Sequence, residues 1–80
     1  MKELTEQLLV TEIFGLCMHK PMSIEELTNK IYKNMYAKNL VRIYQTVEIM
    51  MKRDILLPSF SNKTIKFKIH DKIIRRNNNG

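Results

Sequence analysis

The sequence predicts a small α+β domain, mostly helical, in which three helices precede a two-stranded β-hairpin. Apolar residues recur at helical spacing from residue 3 to about residue 53, with breaks at Lys20-Pro21-Met22 and over residues 34–38. The period then switches to strict alternation over Thr64-Ile65-Lys66-Phe67-Lys68-Ile69. Eighty residues leave room for one domain with a thin core, and 44% apolar with 28% charged residues suits a globular chain.

The first helix is expected over residues 3–19. Leu4, Leu8 and Ile13 make one face, while Leu9, Phe14 and Leu16 spill around its side. Gly15 inside it costs about 1 kcal/mol relative to Ala, which points to a close approach of another backbone. The wide apolar surface leaves two readings open: a central helix buried on both flanks, or a dimer seam through Leu9, Phe14 and Leu16 with Ile73 and Ile74. Ser23 and Glu26 form a capping box that starts the second helix, which runs to about Lys33 with Ile24, Leu27 and Ile31 toward the core. Asn39 is the expected N-cap of the third helix, from Leu40 to roughly Arg53. There Ile43, Val47 and Met50 face inward, with Leu40, Tyr44 and Met51 on the flanks. Val41, Arg42, Gln45, Glu48, Ile49 and Lys52 lie opposite. Asp54 ends the helix, since Asp tolerates the left-handed conformation.

Residues 55–60 pair with residues 64–69 through a turn at Ser61-Asn62-Lys63, with Ile65, Phe67 and Ile69 inward. Pro58 places its strand at a sheet edge. A short helical turn follows over residues 71–76. Residues 1–76 form the single domain, and residues 77–80 are expected to be a disordered tail.

Composition removes several classes of function. One Cys excludes an internal disulfide and a Cys-based zinc site, and no apolar run approaches the roughly 20 residues that span a bilayer. The acidic start lacks the form of a secretory signal, so a cytoplasmic location is expected, or a nuclear one if the host has a nucleus. Cys17 and His19 point to different sides of a helix, and no glycine-rich phosphate loop or catalytic spacing is present. An enzyme, a metal site, a cofactor and a small-molecule substrate are all not expected. Charge is the informative quantity. The chain carries +6 in all, yet residues 1–28 sum to −3 and residues 29–80 to +9. Such asymmetry suggests one surface built for a polyanion. The alternative is a basic surface that serves only solubility. Nucleic acid is favoured over membrane because no basic amphipathic helix with exposed Trp or Phe accompanies the bases.

The segments MSIEELTNKIY, KNLVRIYQTVEIMMKRDIL and PSFSNKTIKFKI, over roughly residues 4–69, resemble the winged helix-turn-helix family of small transcription regulators of archaeal, bacterial, viral or plasmid type. The resemblance implies a three-helix bundle with a C-terminal β-wing, sequence-specific double-stranded DNA binding as a homodimer, and the third helix in the major groove. Asp54 stands where that family commonly has Gly, and Leu40 and Val41 replace a Ser/Thr-rich helix start. The residues suit the same task. Arg42 can fork onto guanine, Gln45 can pair with adenine, and Val41 can pack on a thymine methyl. Tyr36, Lys38, Asn39, Lys52, Asn62, Lys63, Lys66 and Lys68 are the candidate backbone contacts. Taken singly, each of these positions is also what a solvated surface provides. The rival function is a winged-helix module that docks on an acidic protein partner within a larger complex.

Overall fold

The computed structural model describes residues 4–78. Its elements are α1 (Glu6–His19), α2 (Ile24–Tyr32), α3 (Ala37–Lys52), β1 (Leu56–Ser61), β2 (Thr64–Ile69) and α4 (Asp71–Asn78). The class is α+β, with an antiparallel pair after the helices, a layout that fits the winged-helix expectation.

Local chemistry sets the helix ends. Thr5 takes an extended backbone, and its hydroxyl accepts from the Leu8 amide at 3.2 Å, so α1 begins at Glu6, later than expected; residue 3 itself lies outside the described residues. The expected capping box is present: the Glu26 amide donates to Ser23 Oγ at 3.1 Å, and the Ser23 amide donates to Glu26 Oε1 at 3.0 Å. The start of α3 differs from expectation. Asn34 organises the connector by accepting from the Tyr36 amide and from Asn39 Nδ2, the latter at 2.8 Å. With the turn tied there, the helix begins at Ala37, and Asn39 lies within it as a buried side chain, not as its N-cap.

At the other end of α3, Asp54 adopts φ 58°. The Asp54 amide donates to Met51 O and the Ile55 amide to Met50 O, the paired bonds of a Schellman cap. This turns the chain into the hairpin. Asn62 and Lys63 both take positive φ, making a two-residue turn one residue tighter than expected. In the register, Leu56 opposes Ile69, Pro58 opposes Phe67 and Phe60 opposes Ile65. Met22, between α1 and α2, exchanges both backbone hydrogen bonds with Phe67. The backbone groups of Phe67 therefore point away from β1, and the missing N–H of Pro58 falls on the open outer edge.

The core joins every layer. Leu9, Ile13 and Cys17 of α1 meet Leu27 of α2, Ile43, Val47 and Met50 of α3, and Leu56, Phe67 and Ile69 of the hairpin, with Met22 between them. Leu9 is fully buried within the chain, which corrects its place in a dimer seam. Burial on the hairpin's inner face fades toward the tip: Phe67 and Ile69 are buried, whereas Ile65, expected inward, is exposed. The domain is too short to cover the whole strand. No helix among the described residues is long and apolar enough to cross a membrane.

Gly15 has open space where a Cβ would stand, so no neighbouring backbone requires it. Gly15→Ala is accordingly expected to raise stability by about 1 kcal/mol, read as a higher urea midpoint at unchanged slope. A loss of stability would mean that another chain approaches α1 at this point.

α4 extends beyond the expected helical turn and includes residues 77 and 78, while residues 79–80 of the expected tail lie outside the described residues. Its start is held by His70, whose Nδ1 accepts from the Lys72 amide at 3.1 Å. Lys72 Nζ reaches back to Asp54 Oδ2 at 2.9 Å, tying α4 to the end of α3.

Candidate nucleic-acid interface

α3 packs on α1 and α2 along one side. Ile43, Thr46, Val47 and Met50 fill that side, and a helix turns about 100° per residue, so Lys38, Val41, Tyr44, Gln45, Glu48 and Lys52 fall together on the other. All six are exposed. The candidate base contacts Val41 and Gln45 thus sit mid-helix on an uncovered face, bracketed by Lys38 and Lys52. Glu48 shares it and repels phosphate. A shallow groove of about 460 Å³ runs along this face, closed on one side by Glu6 of α1.

Arg42 is placed differently from its sequence reading. It lies at the edge of the exposed face, half-buried, and its Nη2 donates to the backbone carbonyl of Leu4. The cation therefore fastens the entry of α1 to the middle of α3. Arg42→Ala is expected to lower the unfolding free energy by about 1–3 kcal/mol, as for a hydrogen bond to a charged group, measured by chemical denaturation. Unchanged stability with altered duplex preference would restore it as a base reader.

The candidate backbone contacts divide among several places. Tyr36 and Lys38 are exposed at the start of α3, Lys52 near its end, and Asn62 and Lys63 at the hairpin turn. Asn39 is buried and bonded to Asn34, which removes it from any contact surface. Lys66 is half-buried and pairs with Glu26 at 3.5 Å, against the start of α2. Lys68 lines a separate groove with α1 and α4. Sequence reasoning did not foresee this dispersal, because alternation along a strand fixes only which face a residue takes and not what packs there.

The Glu26 carboxyl is held below its ordinary value first by the Ser23 amide that donates to it and then by Lys66, while partial burial opposes them. A depressed pKa contributes stability that is present above the unfolded value of 4.5 and is lost as pH falls through the folded one. Glu26→Gln keeps a capping side chain but removes the charge. It is expected to lower stability by no more than about 1 kcal/mol at pH 7, given the exposure of the pair. The difference from the parent should vanish in thermal melts taken below the carboxylate range. Asp54 is shifted the same way, chiefly by Lys72 and to a smaller degree by His70.

The five residues of the expected dimer seam also separate. Phe14, Ile73 and Ile74 line one groove of about 330 Å³, together with the exposed Met18. Leu16 falls about 160° around α1 from Phe14, assuming the regular helical turn, and packs at the edge of the core. It cannot join the same seam. Cys17 is buried, and burial pushes its thiol up to about 11, the behaviour of a core residue and not of a nucleophile. Two exposed residues carry no signal in the sequence that marks them out: Tyr44, on the outer face of α3, and Phe60, near the hairpin tip.

The chain matches no protein-family model, and neither a curated protein nor a solved structure is significantly similar to it.

Proposed function

We propose that this protein is a winged-helix regulator of transcription that binds double-stranded DNA sequence-specifically. The outer face of α3 enters the major groove, and the hairpin lies along the phosphate backbone. The observation that supports this most is the uncovered α3 face, where Val41 and Gln45 stand between Lys38 and Lys52. Gln45 offers the paired donor and acceptor that suit an adenine edge, and Val41 a surface for a thymine methyl. With Arg42 engaged by Leu4, base reading falls on these two. Tyr36, Lys38, Lys52, Asn62 and Lys63 position the protein on phosphates without reading sequence. Two copies pair through the groove of Phe14, Ile73 and Ile74, setting the spacing of two half-sites.

A second reading is favoured by one observation. Val41 and Tyr44 expose more than half of their surface beside Glu48 on the same face, which suits a protein partner. Selection of bound duplexes from a random pool separates the two. Enrichment of a two-part motif supports the DNA regulator, with half-sites spaced by whole helical turns. Retention of no duplex at low salt, with capture by an acidic protein competitor, supports the docking module.

A further inference from the structure

The duplex-binding reading leaves one part of the hairpin unused. Phe60 is 78% exposed and Ile65 45% exposed, and the register sets them directly opposite each other. Pro58, also exposed, continues the strip toward the domain. Isolated apolar residues on a surface are ordinary, but here two meet across the strands at the end of a projecting finger. Their face is the one that carries Leu56, Phe67 and Ile69 into the core, so the strip continues a rigid, packed base. The two-residue turn keeps the tip narrow. Charge indicates what covers it. Residues 56–69 contain no carboxylate, and the exposed Lys63 stands on the turn beside the strip, an arrangement that attracts a polyanion and disfavours a second copy of the same basic tip.

We propose that the hairpin tip is an apolar wedge, with Phe60 and Ile65 entering the minor groove of a DNA duplex, parting one base step and bending the helix. Wedges of this kind use an aromatic or branched side chain to unstack a step, and flexible pyrimidine–purine steps yield most readily. Lys63, beside the wedge on the turn, meets the flanking phosphates. The proposal rests on the duplex-binding reading and adds to it a deformation of the DNA.

The test uses the full chain and an A·T-rich duplex of about 30 base pairs, long enough to report a bend. It carries TA steps, a fluorophore at each end and 2-aminopurine at the steps. Binding of the parent protein is expected to draw the duplex ends together and brighten 2-aminopurine at one step. Phe60→Ala is expected to bind roughly tenfold more weakly, to bend the duplex little and to leave the base stacked. Its salt dependence stays the same because no charge is removed. Phe60→Trp should restore the bend. Since Phe60 is largely exposed, an unchanged thermal melt verifies that each variant is folded. Equal bending by parent and Phe60→Ala, or tight binding by the parent without unstacking, overturns the wedge and leaves the duplex reading standing. Self-association of the parent that Phe60→Ala abolishes also overturns it, by assigning the strip to a second copy. No duplex binding by the parent at low salt overturns the underlying reading and the wedge with it.

Discussion

Leu9→Ala is expected to lower the free energy of unfolding by about 2–5 kcal/mol, the cost of removing a buried side chain and leaving a cavity. Leu9 has no solvent-exposed surface and packs in the core formed by α1, α2, α3 and the hairpin. An 80-residue domain has roughly 4–12 kcal/mol in all, so the variant sits near the limit of folding. Urea denaturation at two protein concentrations checks this. The loss should be the same at both, because Leu9 packs within its own chain. A loss that shrinks on dilution would return Leu9 to a subunit seam. Leu8→Ala serves as the control: Leu8 is half-exposed, and the expected change is within about 0.5 kcal/mol.

The second large effect concerns binding. Lys38, Lys52 and Lys63 are the lysines that the structure leaves exposed on α3 and at the hairpin turn. Three neutralised phosphates per chain give a slope of log affinity against log salt of about −3. Lys66 is spoken for by Glu26, and Lys68 lies in the groove between α1 and α4, so neither adds to the count. Reversing two charges together, in Lys38→Glu with Lys52→Glu, is expected to weaken duplex binding by at least about 100-fold and to bring the slope near −1. Gln45→Ala acts differently, costing about 1–3 kcal/mol on the preferred site and little on other duplexes. Fluorescence anisotropy titrations at several salt concentrations measure both. A flat salt response in the parent removes the polyanion reading, and uniform loss across sequences for Gln45→Ala removes its role as a base reader.

Much of the architecture is written in local chemistry. Ser23 and Glu26 start α2 as a capping box because both partners lie within one turn, and Asp54 closes α3 in the left-handed conformation foreseen for it. The inward set Ile43, Val47 and Met50 follows from spacing alone. Where a neighbour outside the local window takes part, sequence reasoning fails. Asn39 has the chemistry of an N-cap, yet Asn34 five residues earlier captures its amide and lets the helix start sooner. Ile65 alternates properly with Phe67 and Ile69 but lies past the end of the core, so its inward face has nothing to meet.

The candidate site divides along the same line. Periodicity placed Val41 and Gln45 on the outer face of α3, since that depends only on the helical turn. It could not show that Arg42 would be drawn to the Leu4 carbonyl, 38 positions away, or that Lys66 would meet Glu26. The sequence by itself determined the order of the elements, the caps at Ser23 and Asp54, the inward set Ile43, Val47 and Met50, and the excess of positive charge in the later part of the chain. Only the tertiary structure decided which cations remain exposed, that Leu9 belongs to the interior, and that Phe60 and Ile65 stand at the tip of the hairpin. Capping and period are properties of a few neighbouring residues, whereas exposure and pairing depend on what distant segments bring to the same place.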